Sequence, residues 1–452
     1  MITGPIIAIV FIVLVATLLL KKYYPHAVLL IAGLLMLTVA YFLPGHDPFP
    51  EFKKGFIGFN IFKAVRNSFA GTNAGVGLMI MAIGGFVAYI DKIGASKSLV
   101  YIALKPLGLF KKHPYIAASL VIPIGQILFV CIPSAAGLGL LLMASVFPIL
   151  INLGVTRLSA VSVITACTAF GMGPASAITV SATSIMETDT VGYFIREQIP
   201  LAIPLNLTLM ITYYFVNRYY DKKNNVAQHE VEVKEPELTA PLYYGIIPIM
   251  PLILLILFSD IFNFFGDEIV LDTTTVMFIS LFVALIFEMI RKKSVKDVLK
   301  SLTIFWSGMG DIFKTVVTLI IAADIFSQGL ISLGFIDGLI STSQHLGFGA
   351  IGIGIVMAVM IFLASMLMGS GNAAFFAFGP LIPNIASKLG VKTTTILLPM
   401  QFSASMGRTV SPVAGVMIAT AEIAKVQVME IVKRNLIPLV SALLVMLIYY
   451  YI

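Results

Sequence analysis

The sequence predicts an all-α polytopic membrane protein built as two inverted repeats, each with a re-entrant helical hairpin and a broken helix. Three observations carry this prediction. The 452 residues are 59% hydrophobic and only 11% charged, with a mean hydropathy of +1.01, whereas a soluble domain carries about 25% charged residues. Two apolar stretches, 114–153 and 349–387, are too long for one span and are interrupted at mid-length by small residues. Landmarks also recur: an offset of 236 carries Ser134 onto Ser370, Leu153-Gly154-Val155 onto Leu389-Gly390-Val391, and Gly171 onto Gly407.

Taken in order, residues 4–20 form an apolar span ending at Lys21-Lys22. With no positive n-region and no clear cleavage site, it reads as a span and not as a signal peptide. Residues 26–43 are a second span. Residues 47–70 mix Phe and Ile with Lys53, Lys54, Lys63 and Arg66, an amphipathic surface segment, and 72–90 span again. Residues 92–113 are interfacial, with Lys92, Lys97, Lys105, Lys111, Lys112 and His113 among apolar residues. The first hairpin follows, with Pro133–Gly137 at its tip. Residues 157–187 are a span broken at Gly171–Ser176, and 199–216 are a clean span. Asn217–Thr239 is the only strongly polar segment and reads as a linker between halves. Spans at 242–258 and 271–290 lead to the basic run Arg291–Lys300, then to a span at 308–326 and an interfacial segment at 330–347. The second hairpin breaks at Gly369–Asn372, the span 393–420 breaks around Arg408, and 435–451 close the chain.

Lysine and arginine mark cytoplasmic loops. Lys21-Lys22, the linker and Arg291–Lys300 therefore lie inside, both termini lie outside, and the halves have opposite orientation. Such inversion is a pattern of secondary transporters. The segment 47–70 is an exception, falling outside despite four basic residues. The formal charge of +7 reflects basic cytoplasmic loops and not nucleic-acid binding. Cys131 and Cys167 lie in apolar context, where no disulfide is expected, and the five histidines have no metal-ligand spacing. No HExxH, GxSxG or P-loop occurs, which argues against a metalloprotease, a serine hydrolase and an ATP-driven pump.

The candidate chemistry sits at the breaks. Arg408 falls partway through an apolar span, between Gly407 and Ser411-Pro412. A central arginine costs about 2.5–3.5 kcal/mol on insertion scales, a cost met by a polar cavity and an anion. The other reading is an arginine snorkelling to the interface. Ser134, Ala135, Ala136 and Gly137 form one hairpin tip, and Gly369–Ala373 form the other. Exposed N–H groups at half-helix N-termini attract anions. Ser370, Gly371 and Asn372 add side-chain and backbone hydrogen bonding. Glycines in such places also serve simply for close helix packing. The breaks Gly171–Ser176 and Gly407–Pro412 supply opposite walls, with Ser176, Thr409 and Ser411 offering hydroxyls. Broken-end carbonyls can hold a cation, which names Gly171, Gly173 and Gly407 together with Asn372. Asp324, near the end of its span, and Glu187 and Asp189, after the first broken helix, read as interfacial residues and not as proton carriers.

The stretches Gly369–Phe378, Gly407–Val416 and Gly137–Ala144, with Ile93-Gly94-Ala95 and Ser327–Ile336, resemble the DcuC family of anaerobic C4-dicarboxylate carriers. The resemblance runs from the first span to Arg434. It implies a scaffold domain plus a transport domain of two hairpins and two broken helices, working as an elevator in a homodimer of the bacterial inner membrane. On that reading 114–190 and 349–420 form the transport domain. The scaffold comprises 1–113, 191–216, 241–348 and 421–452, with 217–240 as cytoplasmic linker. The implied substrates are fumarate, malate, succinate or aspartate, with Arg408 pairing with one carboxylate and Asn372, Ser370 and tip amides holding the other. No cofactor is expected, and the coupling ion is left between Na⁺ and H⁺. The sequence departs from the family pattern at Pro133–Gly137, where a more hydroxyl-rich tip is expected, and in the glycine-rich Gly171–Ser176. Rival readings are a same-fold carrier of another small organic anion or amino acid, a channel, or a membrane-embedded enzyme.

Overall fold

The computed structural model describes residues 3–44, 48–49, 56–110, 112–223, 238–259, 261, 271–345 and 349–451. The described residues form helices and loops with no strand, and nine of the helices are long and apolar enough to cross a membrane.

α1 (Thr3–Leu20) and α2 (Pro25–Phe42) are joined by a turn at Lys22, whose φ is positive. α3 (Ile57–Thr72) passes through a π-helical segment, Asn73–Gly77, into α4 (Leu78–Ile93), so 58–93 is one kinked helix of 36 residues. This corrects the separation of 47–70, a surface segment, from a span at 72–90. α3 buries Asn60 and Ser68, while Lys63, Arg66 and Asn67 are exposed. Lys53 and Lys54 lie outside the described residues. Gly94, with φ of +84, ends α4 and opens α5 (Ala95–Leu104).

α6 (Pro114–Cys131) and α7 (Ala135–Asn152) are the arms of the first hairpin. α8 (Arg157–Ala166) and α9 (Ala177–Met186) flank a non-helical break. The short α10 (Thr190–Tyr193) runs through a π segment into α11 (Ile199–Lys223). The expected span at 242–258 contains only one α-helix, the eight-residue α12 (Met250–Leu257), preceded by a 3₁₀ turn. Pro241, Pro248 and Pro251 withhold the N–H groups that a longer helix needs. α13 (Thr273–Lys292) follows, then α14 (Val295–Ile312), a π segment Phe313–Val317, α15 (Thr318–Ser332) and α16 (Phe335–His345). The second hairpin is α17 (Ala350–Met368) against α18 (Gly371–Phe378) and α19 (Ile382–Leu389), whose arm is interrupted by a 3₁₀ turn at Gly379–Leu381. α20 (Thr393–Thr409), α21 (Gly415–Ala424) and α22 (Val428–Tyr451) complete the chain.

The elements of 57–223 recur in the same order over 295–451. An offset of 240 carries the π segment Asn73–Gly77 onto Phe313–Val317 and left-handed Gly94 onto left-handed Gly334. An offset of 236 carries N-cap Ser134 onto N-cap Ser370 and left-handed Gly154 onto left-handed Gly390. Gly171 and Gly407, joined by the same offset in sequence, are not equivalent: Gly171 is non-helical and Gly407 lies inside α20.

α17 packs along α20, α15 along α2, α14 along α4 and α11 along α22. α11 also packs on α6, and α22 on α8 and α20. The segment expected to be a linker begins later than the sequence suggests. Residues 217–223 are the last turns of α11, and Asn217 and Asp221 are buried there. Their polarity is used internally, against Arg434, and not by solvent. Residues 224–237 lie outside the described residues.

Candidate functional site

A cavity of about 460 Å³ lies where α4, α14, the first hairpin tip, α9 and the end of α20 meet. Of the residues singled out in sequence, Arg408, Asn372, Ser134, Ala135, Gly171 and Ser176 line it together. They come from four separate segments of the chain, and only folding assembles them.

Three helix N-termini converge on this cavity. α7 begins at Ala135, with Ser134 as its N-cap and Ser134 Oγ accepting from the Gly137 N–H at 3.1 Å. α18 begins at Gly371, with Ser370 Oγ accepting from the Ala373 N–H at 3.2 Å. The N-caps satisfy one donor each and leave the remaining first-turn N–H groups positive. α9 begins at Ala177 after Ser176, whose side chain makes no cap bond and lines the cavity. Each terminus carries roughly half a positive charge. Gly369 reaches the tip with φ of +72, a conformation that favours glycine.

Arg408 sits in the last turn of α20, its Nη2 donating to the Thr168 carbonyl. Its guanidinium carbon lies 5.9 Å from the Phe129 ring centroid. Its Nε is buried without a partner, and it has no ion pair among the described residues. The break in the span falls at Val410–Ala414, after Arg408 and not at Gly407. A Cβ on Gly407 would collide with the Phe362 carbonyl of α17, so this glycine permits close packing of α20 on α17. Gly371 does the same against the Ala404 carbonyl of α20, 2.6 Å from where a Cβ would stand. The side chain of Asn372 makes no hydrogen bond to the described residues and faces the cavity.

The other sequence candidates stand apart from the lining. Thr409 Oγ1 donates to the Ser405 carbonyl at 3.0 Å, a bond to its own helix, and Ser411 Oγ accepts from the Val413 N–H at 3.3 Å. Ser370, Gly371, Ala136 and Gly137 belong to the hairpin tips without lining the cavity. The Gly171 carbonyl accepts from Gln401 Nε2 at 2.7 Å, and the Gly173 N–H donates to Gln198 Oε1 at 2.9 Å. Gln401 and Gln198 both reach Thr179 Oγ1, so two buried amides hold the first break in shape. Sequence reading passed over both glutamines, which carry no local signature.

It also passed over two carboxylates in the cavity lining. Asp91, at the end of α4, accepts from Ser96 Oγ, and Asp311 lies in the last turn of α14. Asp91 falls between the span read at 72–90 and the interfacial segment read at 92–113. Asp324 lies within α15 and lines a second cavity. Glu187 is exposed at the end of α9, and Asp189 Oδ2 caps α10.

A family profile described as "C4-dicarboxylate anaerobic carrier" (DcuC) matches residues 4–452. The anaerobic C4-dicarboxylate transporter DcuC of Escherichia coli K12 is 33% identical over 98% of this chain and 95% of its own. The probable anaerobic C4-dicarboxylate transporter DcuC of Vibrio cholerae is 33% identical over 95% of this chain and 93% of its own. Among solved structures, the Alcanivorax borkumensis YdaH transporter superposes with a TM-score of 0.60 at 13% identity, covering 94% of this chain and 98% of that one. The Neisseria gonorrhoeae MtrF efflux pump superposes with a TM-score of 0.57 at 13% identity, covering 95% and 96%. At that identity the two solved structures speak to fold alone.

Proposed function

The chain belongs to the DcuC family of C4-dicarboxylate anaerobic carriers, a family of membrane transporters and not of enzymes, and we propose that the Arg408 cavity is where it binds its dicarboxylate. The observation that carries the reading is Arg408 itself: a guanidinium on an apolar span, without an ion pair among the described residues, lining the cavity that three helix N-termini border. A guanidinium offers a carboxylate two parallel hydrogen bonds. One carboxylate of the substrate then rests on Arg408. The other meets Asn372, the Ser134 tip and the Ser176 end of α9. Asp91 and Asp311 share this lining, and Asp91 Oδ2 borders the Ser134 tip, 3.7 Å from where a Gly137 Cβ would stand.

The wider reading follows the same line. The protein is a multi-pass carrier of the bacterial inner membrane that takes up, exchanges or releases a C4-dicarboxylate such as fumarate, malate, succinate or aspartate. The recurring element order is an inverted repeat, with 114–190 and 349–420 moving as one body against a scaffold in a homodimer. The packing of α11 on α6 and of α22 on α8 and α20 argues that these two helices travel with the moving body. Na⁺ or H⁺ supplies the coupling.

The test is counterflow on proteoliposomes holding purified protein and a panel of acids. Trans-stimulation by unlabelled C4-dicarboxylates is the expected result. Stimulation only by monocarboxylates or amino acids would move the reading to another anion, and flux without trans-stimulation would indicate a channel.

A further inference from the structure

We propose that Asp324, held between Ser68 and Gln328 on the wall of a second cavity, is a proton-binding site and carries the coupling proton of transport. The coupling half of this statement rests on the transport reading above. The binding half does not.

The second cavity, of about 640 Å³, opens between α3, α9, α15 and α18. Asp324 Oδ2 accepts from Ser68 Oγ at 2.5 Å and from Gln328 Nε2 at 2.9 Å. Both donors are spent on one oxygen. Oδ1 has no partner among the described residues, and the residue lines the cavity. A carboxylate that serves only to tie helices together is covered on both sides, as Asp221 is: its Oδ1 meets Arg434 and Thr156, and its Oδ2 meets Tyr115, Thr156 and Ser159. Asp324 is held on one side and open on the other.

The offset of 240 that relates the two π segments also relates the two cavities. Gly84, Ala88 and Gly308 line the Arg408 cavity, and their counterparts Asp324, Gln328 and Ser68 line the second. Ile80 and Ile320 form a further pair. One wall design therefore occurs twice. Where one copy carries two glycines and an alanine, the other carries an acid and its two hydrogen-bond donors. The frame does not need these three polar groups, since its first copy stands without them.

The chemistry favours a proton over a metal ion. The described residues contain no group of three His, Cys, Asp or Glu that could hold a metal. Ser68 and Gln328 turn an O–H and an N–H toward the carboxylate, whereas a hard cation needs a shell of oxygens. A carboxylate on a largely apolar helix with no ion pair among the described residues is costly when ionised. Binding one proton at Oδ1 converts it to a neutral acid. The elements packed on α15 do not supply a compensating charge to the lining. On α2, His26 stacks on Tyr24, and Tyr41 is exposed. On α3, Lys63 is exposed and Arg66 binds the Asn67 side chain. Lys314 of the π segment is exposed, Asp337 of α16 pairs with Lys388, and α18 has no ionisable residue. Asp324 is the only ionisable residue lining this cavity among the described residues.

The two cavities share moving parts. Ala177 and Ile178 of α9, with the preceding Ser176, line the first, and Ser181, Ser184 and Ile185 of α9 line the second. α18 presents Asn372 to the first and Phe376 to the second, and packs against α15. A change of charge at Asp324 thus acts on the same two helices that present N-termini to the substrate.

The experiment uses purified full-length protein, wild type, Asp324→Asn and Asp324→Glu, each passed by size-exclusion chromatography. Infrared difference spectra between acid and alkaline buffer should contain a carboxylic-acid carbonyl band that Asp324→Asn lacks and Asp324→Glu retains at a shifted frequency. An unchanged band in Asp324→Asn overturns the site. In proteoliposomes, an inside-alkaline pH gradient should drive accumulation of labelled succinate by wild type and Asp324→Glu. Asp324→Asn should lose that accumulation while keeping counterflow. Accumulation by Asp324→Asn equal to wild type, or accumulation by wild type driven by a Na⁺ gradient alone, overturns the coupling role. Absence of counterflow in wild type with every C4-dicarboxylate would instead defeat the transport reading, and the infrared band would still decide the site.

Discussion

Arg434 Nη1 lies 2.7 Å from Asp221 Oδ1, joining α22 to the last turn of α11, with both side chains buried. The same nitrogen donates to Ser159 Oγ at 2.7 Å, and the guanidinium carbon lies 5.5 Å from the Tyr220 ring centroid. The chain thus holds two deep arginines with opposite circumstances. Arg434 is neutralised by an acid of its own chain, whereas Arg408 has no ion pair among the described residues and faces a cavity. That contrast separates a structural arginine from one that can receive a ligand.

Removing one partner of a buried pair costs about 3–5 kcal/mol, because the other charge stays behind uncompensated. Asp221→Ala and Arg434→Ala should each lower the thermal midpoint sharply in size-exclusion-based melting assays. The double variant Asp221→Ala/Arg434→Ala should be destabilised by less than the sum of the two. Additive losses would show that the two side chains do not act as a pair.

Arg408 should behave differently. Loss of a desolvated charged partner costs a ligand about 2–5 kcal/mol, and every 1.4 kcal/mol or so is tenfold in affinity. Arg408→Ala should therefore fold normally and bind a C4-dicarboxylate at least an order of magnitude more weakly. Arg408→Lys should be impaired too, since an ammonium lacks the planar fork. Near-normal succinate or fumarate affinity in folded Arg408→Ala, measured by calorimetry, would remove Arg408 from the binding site.

Gly407 and Asn372 separate packing from binding. Gly407→Val drives its side chain into the Phe362 carbonyl and should reduce stability whether or not ligand is present. Asn372→Ala removes an amide that faces the cavity and should leave the melting temperature nearly unchanged while weakening ligand binding. The reverse pattern in melting and binding assays would assign the roles the other way.

The inverted-repeat reading makes a topological claim. Glu187 and Lys425 follow α9 and α21 in the same left-handed conformation. Single cysteines at these two exposed positions should be labelled from opposite sides of the membrane, Lys425→Cys from the cytoplasm. Labelling of both from one side would rule out inversion.

The elevator reading concerns distances. Leu140 on α7 and Leu367 on α17 are exposed, as is Phe282 on α13. Spin labels at the first two should keep their separation between inward- and outward-facing states while both move relative to the third. A changing Leu140–Leu367 distance with a constant Leu140–Phe282 distance would favour gating instead.

The sequence by itself determined the class of the protein and the places where its helices break. Hydropathy, small residues at hairpin tips and an arginine in an apolar span are local properties, and they located Ser134, Asn372, Ser176 and Arg408 before any contact was known. The Gly171–Gly407 match was misleading because a glycine has the same letter whether it permits a break or a close approach, and only the neighbour at Gly407, a carbonyl of α17, reveals which. Asp221 and Asn217 looked like linker polarity because their partner Arg434 lies more than two hundred residues away. Asp324 stood near the end of its expected span, and its surroundings are equally remote in sequence: Ser68 and the cavity are supplied by α3, α9 and α18. Polar groups at membrane depth are tolerated according to what faces them, and what faces them is decided by helix packing across the whole chain, which no window of sequence contains.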